Sequence, residues 1–364
     1  MNNKKKILLV VDAPGPAELI HPVVPLLKKK SNLLIILVRE APAKILGKYK
    51  HLRCDTEDGV EAIYKKFNPD ILAVSISSLV LGPYVANKFT KLAHKNKKST
   101  VCFQDFWANH RWPMNFKMLK YWQTMLVPDK LAKKYLLEDD YKGKIIITGN
   151  PAYERFKKIS VAEKRKRMRK KLKIPGNKIV FLYIGAGTPE AYKEDAITFN
   201  FFADTLQELK KDKKYKDLIL ICHSHPRDEN PERYKKMAPD LNILDALEIN
   251  LADELLPIAD VVISMYATNL IHCCYLRIPA ISILLPNAGK EMLAKISLND
   301  FPPNVFGATI GIYKKSKGIL KLKIEKILTD KKYRAKIKQV QKKYFAFSKD
   351  SSAQKILRAI LVYP

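Results

Sequence analysis

Short apolar runs alternate with stretches of helical spacing along the chain. "KILLVVDA" (6–13), "NLLIILV" (32–38), "DILAVSIS" (70–77), "TVCFQDF" (100–106), "TMLVPD" (124–129) and "KIIITG" (144–149) have strand length. Between them "PAELIHPVVPLLKKK", "DGVEAIYKKF", "PYVANKFTKLAHKNK" and "KLAKKYLLEDD" space their apolar residues as helices do. Such alternation predicts an α/β chain of βα units around a parallel sheet, its strands apolar throughout because helices cover both faces. The rhythm breaks at Gly149-Asn150-Pro151 and restarts at Lys178. "KIVFLYIGAG", "LILICHSH", "NILDAL", "DVVISMY" and "PAISILL" follow as strands, with "DAITFNFFADTLQELKK", "PERYKKM", "LADELLPIA" and "ATNLIHCCYLR" as helices. The last fifty residues, rich in Lys and Leu, read as wholly helical. Two such series predict two doubly wound, Rossmann-like domains, residues 1–155 and 156–345, with residues 346–364 a helix packing back on the first. Ligands are then expected in a cleft at the carboxyl ends of the strands.

Composition changes this picture little. With 47% hydrophobic residues, the 364-residue chain has material for two cores. A net charge of +31 suits nucleic acid, an anionic membrane or a phosphorylated substrate. The charge is spread along the chain, so lysine as a default surface residue explains most of it, and nucleic acid is not an expected partner. The densest run, "KKISVAEKRKRMRKKLK" (157–173), keeps Val161, Met168 and Leu172 as a sparse apolar stripe and reads as a solvated basic helix joining the domains. The five cysteines include no C-x-x-C pair, which points to a reducing compartment with neither disulfides nor a zinc cluster. The apolar run after "MNNKKK" is too short for a signal sequence, and no stretch approaches the roughly 20 apolar residues of a membrane span. The expectation is a cytoplasmic protein, with attachment to the inner face of a membrane as a further option.

Three stretches carry candidate chemistry. In "CHSHPRDENP" (222–231), His223, His225 and Arg227 end an apolar run, which fits a metal site, a general acid/base or an anion-binding loop. Gly185, Gly187 and Thr188 form a glycine-rich strand end that lets a backbone approach a ligand, although the dinucleotide fingerprint is incomplete. In "ADVVISMYATNLIHCCYLRIPAISI" (259–283), a strand ends at Ser264 and a helix begins near Thr268. Its first turn suits a phosphate, with Ser264, Tyr266, Thr268 and Asn269 as side-chain donors. Ordinary N-capping by Thr268 or Asn269 is the structural alternative.

That last segment, with its spacing to Pro279, resembles the nucleotide-binding segment of GT-B-type proteins. These include nucleotide-sugar glycosyltransferases, UDP-N-acetylglucosamine 2-epimerases and CDP-glycerol glycerophosphotransferases. Ser264-Met265-Tyr266-Ala267-Thr268 is similar to the S-D-Y-S-S pattern of the glycerophosphotransferases. "TGNP" (148–151) resembles the segment that leaves the first domain, and His225-Pro226 the His-Pro of the second. The resemblance implies the GT-B fold, a nucleotide held mainly by the second domain, an acceptor held by the first, and no metal or cofactor beyond the nucleotide-sugar co-substrate. It places His225 against a phosphate or in proton transfer, Arg227 at the diphosphate, and His272 where relatives carry an acidic residue that binds ribose. Met265 and Arg277 also depart from the pattern, standing where an Asp and a Gly are usual. "GAGTPEAY" replaces the H-R-R-E-N-like segment of the epimerases, which argues against epimerase chemistry.

In the first domain, Pro14-Gly15-Pro16 reads as the turn after the first strand, with Gly15 facing the ligand. "FQDFWANHRW" (103–112) packs Asp105, Asn109, His110 and Arg111 among aromatics, as sugar sites do. Asp105, a carboxylate at a strand end among rings that raise its pKa, is the candidate general base. The expected function is transfer of a sugar from a nucleotide-activated donor to a sugar, polyol or lipid-linked hydroxyl. Glycerophosphotransfer, an epimerase-like reaction and non-catalytic nucleotide-sugar binding are the alternatives.

Overall fold

The computed structural model describes residues 4–76, 83–185, 191–224, 228, 230, 232–244, 246, 249 and 251–362. The chain divides into two compact units, residues 1–155 with 347–364, and residues 156–346. In the first, strands β1 (Lys6–Val11), β2 (Asn32–Leu37), β3 (Leu52–Arg53), β4 (Ile71–Ile76), β5 (Ser99–Gln104), β6 (Thr124–Val127) and β7 (Lys144–Ile147) form one sheet. Their order is β3-β2-β1-β4-β5-β6-β7, with parallel pairing throughout. The second unit holds β8 (Val180–Ile184), β9 (Ile219–His223), β10 (Ile243–Leu244), β11 (Val261–Ser264), β12 (Ala280–Ile283) and β13 (Ile310–Ile312), in the order β10-β9-β8-β11-β12-β13, again parallel. Both are Rossmann-like doubly wound sheets. The order reverses between β1 and β4 and between β8 and β11, where such sheets open a crevice.

The apolar runs bury as a two-faced sheet requires: all of Ile71–Ile76 and Val180–Ile184 lie inside. The first core joins Ile7, Leu9, Leu27, Val101 and Phe103 to Ile356 and Ile360 of the helix Ser352–Val362, so the chain's last helix completes the first unit. Phe181, Phe199, Phe202, Leu206 and Ile263 anchor the second core.

Four expectations change. The helix expected over residues 16–30 is two, Pro14–Ile20 and Val24–Lys30, because Pro22 removes a donor and crowds the preceding turn. Pro14-Gly15-Pro16 is not a turn but the start of the first of them, proline at the opening positions being already set for helical φ. The last fifty residues are three helices interrupted over 345–351. The basic helix Val161–Lys171 is not merely a solvated joint. Its Arg165 and Arg169 pair with Asp260 at 2.6 and 3.1 Å, and Lys164 with Glu254 at 2.7 Å. Arg169 is buried and also donates to the carbonyls of Gly176, Lys178 and Ile258, tying this helix to the rim of the second sheet.

Candidate functional site

In the first unit the carboxyl ends of β1, β4 and β5 gather Asp12, Ser75 and Asp105. Asp12 is buried and accepts a 2.8 Å hydrogen bond from Ser75 Oγ, while its own N–H donates to Ser75 Oγ at 3.2 Å, pinning β1 to β4 where the order reverses. Asp105 directly follows β5. Asn109 Nδ2 donates to Asp105 Oδ1 at 2.6 Å, and Asn109 is itself held by Asn115 Nδ2 on its carbonyl at 2.7 Å. Gly15 lies against the other carboxylate oxygen: a Cβ there would stand 2.0 Å from Asp105 Oδ2. Desolvation pushes the Asp105 pKa up to about 7. Its own backbone N–H and Asn109 oppose the shift, while the negative charges of Asp12 and Glu18 add to it. The residue as a whole is half-buried. A carboxylate poised near neutrality and oriented by an amide is equipped for general base catalysis.

The aromatic stretch divides rather than acting as one platform. Trp107 is buried, its Nε1 donating to Asp129 Oδ2 at 2.6 Å, and Asp129 caps the helix Lys130–Glu138. His110 is fully buried, with Nε2 2.8 Å from Asp139 and Nδ1 3.2 Å from Gln104 Oε1. Burial holds its pKa down despite Asp139. Arg111 donates to Asp139 and Glu138 at 2.6 and 3.2 Å. Trp107, His110 and Arg111 therefore fasten the loop to the neighbouring helix, and Asp105 with Asn109 remains at the strand end.

In the second unit, Ser264 is buried at the end of β11 and donates to the carbonyl of Ile184 at 2.8 Å. Its hydroxyl fastens β11 to β8 at the reversal of strand order and is not a donor open to ligand. Gly185 follows β8, and its N–H donates to His223 at 3.0 Å. A Cβ there would stand 1.8 Å from Tyr234 Oη, so glycine admits the phenol. The helix Thr268–Leu276 starts from Ala267 with no side-chain cap. Thr268 is exposed, Asn269 half-buried, and neither serves as N-cap. The first N–H groups of this nine-residue helix therefore have no side-chain cap, and capping by Thr268 or Asn269, the structural alternative, is not what the structure shows. Tyr266 packs beside Gly289, its phenol pushed up to about 12 by burial and by Glu194.

His272 is buried, its ring centroid 4.9 Å from that of Phe156. Its Nδ1 lies 2.6 Å from Asp253 Oδ1, which also accepts from Asn269 Nδ2 at 3.3 Å. Asp253 belongs to a separate short helix, Ala252–Leu255. Arg277 takes a left-handed φ of 61°. Its guanidinium bonds the carbonyls of Cys274, Gln341 and Phe345.

A buried network supports the end of β8. Asp195 is fully buried and accepts from Tyr183 at 2.9 Å, Tyr234 at 2.7 Å and Arg233 at 2.6 Å. Arg233 also pairs with Asp228 at 3.0 Å. Gly187, Thr188, His225 and Arg227 lie outside the described residues. Sequence reasoning missed Asp253, Asp195, Arg233 and the Asp12–Ser75 pair. An acidic residue opening the helix before "ADVVIS" was the available signal for Asp253.

The fold is shared with a putative UDP-N-acetylglucosamine 2-epimerase from Listeria monocytogenes (16% identity, 98% of this chain and 96% of that one, TM-score 0.68). UDP-GlcNAc 2-epimerase from Neisseria meningitidis, solved bound to UDP-GlcNAc, is also similar (15%, 98% and 99%, 0.66). So is a glycosyltransferase from Rickettsia africae ESF-5 (18%, 100% and 100%, 0.64). These are GT-B-type folds. No curated protein matches the sequence. Residues 108–362, well over half of the chain, match the model of the CDP-Glycerol:Poly(glycerophosphate) glycerophosphotransferase family. With that match added to its two parallel Rossmann-like sheets, the chain belongs to the CDP-glycerol:poly(glycerophosphate) glycerophosphotransferase family.

Proposed function

We propose that the protein transfers an alditol phosphate from a cytidine-diphosphate-activated donor to an acceptor hydroxyl, with Asp105 as general base. The observation that carries this reading is the Asp105 carboxylate, set between Gly15 and Asn109 with a pKa near 7. It accepts the acceptor's proton as the hydroxyl oxygen attacks the phosphorus bearing the alditol. A new P–O bond forms, the bond to the bridging oxygen breaks, and CMP departs with the electron pair. The uncapped first turn of the helix Thr268–Leu276 supplies N–H groups for the diphosphate, and the Asp253–His272 pair takes the ribose. The family match supports the donor class, and the helix geometry supports the diphosphate.

A second reading, sugar transfer from a nucleoside diphosphate sugar, is kept because residues 1–107, including Asp12, Gly15 and Asp105, lie outside the family match. The leaving group separates the two. The protein is incubated with CDP-glycerol, CDP-ribitol or UDP-N-acetylglucosamine and a hydroxyl acceptor, and the released nucleotide is identified. Acceptor-dependent CMP release is expected. Release of UDP would establish the second reading, and no acceptor-dependent release from any donor would defeat both.

A further inference from the structure

The positive charge is not evenly useful. Residues 314–343 hold thirteen Lys and Arg against two carboxylates, Glu325 and Asp330, and eleven of the thirteen lie in two consecutive helices, Lys317–Thr329 and Lys331–Tyr344. Among the described residues, Lys317 alone of these cations pairs with carboxylates, Asp204 and Glu208, both at 3.3 Å. The first helix turns Leu320, Ile324 and Ile327 into the core. On its outer side Ile319 and Leu322 are 43% and 50% exposed. Lys323 and Lys326 follow these two residues by four positions each, so each exposed apolar side chain has a cation one turn along the same face. Tyr344 at the end of the second helix is a further large exposed side chain, 43% accessible.

The other basic helix makes the contrast. On Val161–Lys171, Arg165, Arg169 and Lys164 are spent on Asp260 and Glu254. No large hydrophobic residue of that helix is among the exposed ones. Its outer face is a cation stripe without an exposed large apolar side chain, whereas the 317–329 helix mixes the two.

We propose that the outer face of helices 317–329 and 331–344 docks on an anionic lipid bilayer, with Ile319 and Leu322 entering the headgroup–acyl boundary. Unpaired lysines are drawn to acidic headgroups within a Debye length, and their alkyl stems lie along apolar surface while the ammonium stays in water. Exposed Ile and Leu gain from acyl chains and gain nothing beside the phosphates of a nucleic acid, which decides between the two polyanions. This proposal does not depend on the identity of the transferred group.

The full chain is sedimented with vesicles of phosphatidylcholine alone or with one third phosphatidylglycerol, at two salt concentrations. Salt-sensitive binding confined to the anionic vesicles is expected. The Ile319→Ser/Leu322→Ser protein should bind about tenfold more weakly. The Lys323→Gln/Lys326→Gln protein should bind on the order of tenfold to thirtyfold more weakly. Lys166→Glu/Arg167→Glu, on the other helix, should bind as the parent does. Five of the six positions are exposed and Lys323 is half-buried, and unchanged circular dichroism and melting temperature confirm folding. The proposal is overturned if the serine variant binds as the parent does, if the 166/167 variant loses as much as the 323/326 variant, or if soluble polyphosphate is bound as tightly as the anionic vesicles.

Discussion

Gly15 and Asp105 are in contact across the carboxyl end of the first sheet: a single added methyl on Gly15 would stand 2.0 Å from Asp105 Oδ2. The glycine is required by this approach, not by its backbone angles, since it has no positive φ. Asp105 ends a flexible side chain, so Gly15→Ala is expected to fold and to swing the carboxylate away from Asn109. Turnover should fall about a hundredfold, with an unchanged circular dichroism spectrum, because misplacing a base by about an ångström has that scale of effect. Normal turnover in a folded Gly15→Ala protein would remove Asp105 from the chemistry.

The raised Asp105 pKa has a consequence for stability. An unfolded aspartate ionises near 3.8, the folded one near 7, so between these values the native state holds the extra proton. Stability from this group is therefore present at acid pH and lost as pH rises through about 7. Asp105→Asn removes the dependence. Its melting temperature relative to the parent should climb between pH 4 and 7 and level off above pH 8. The accompanying gain is about 1–3 kcal/mol, discounted because the residue is half-buried. A difference in melting temperature that is flat with pH would mean an ordinary carboxylate.

Arg277 occupies a left-handed position that favours glycine, at φ 61°. Strain there is about 1–2 kcal/mol. Its guanidinium bonds to three carbonyls, including Gln341 at 2.8 Å and Phe345 at 3.0 Å, and hydrogen bonds from a charged donor contribute about 1.5–3 kcal/mol each. Arg277→Gly loses all three bonds and relieves only the strain, so it should destabilise the protein by at least about 2 kcal/mol in chemical denaturation. A more stable variant would show that strain outweighs the bonds.

How much of this was legible in the sequence depended on the range of the interaction. Apolar runs announced eleven of the thirteen strands among the described residues, whereas β3 and β13, short strands at sheet edges, were not read as strands. The position of Asp105 after β5 could be read because a strand end is a local feature. Its neighbours could not. Gly15 is ninety positions earlier, and nothing local links them. Similarly, His272 was legible as a departure from a pattern, yet its partner Asp253 comes from a separate helix. "FQDFWANHRW" looked like one aromatic platform, because sequence cannot show that Asp129 and Asp139 draw Trp107, His110 and Arg111 to the other side.

The Asp253–His272 pair, 2.6 Å apart beside Asn269, is expected to act in nucleotide binding more than in turnover. Asp253→Asn should raise the dissociation constant for the donor nucleotide about tenfold by calorimetry, the loss of a charge-assisted hydrogen bond. His272→Gln should do the same less strongly, and Thr268→Ala/Asn269→Ala should weaken diphosphate binding by about 1–3 kcal/mol. If nucleoside alone binds Asp253→Asn as tightly as the parent, the pair serves the fold only.

Single-turnover transfer by the Asp105→Asn protein tests the central claim most directly. With bound CDP-activated donor and saturating acceptor, the parent should release CMP at a rate that rises with pH and levels off above about pH 7, following ionisation of Asp105. The variant should bind the donor with unchanged affinity, release CMP at least a hundredfold more slowly, and show no inflection near pH 7. Release by the variant at the parent's rate, or the same inflection in both proteins, would contradict the assignment of Asp105 as the base.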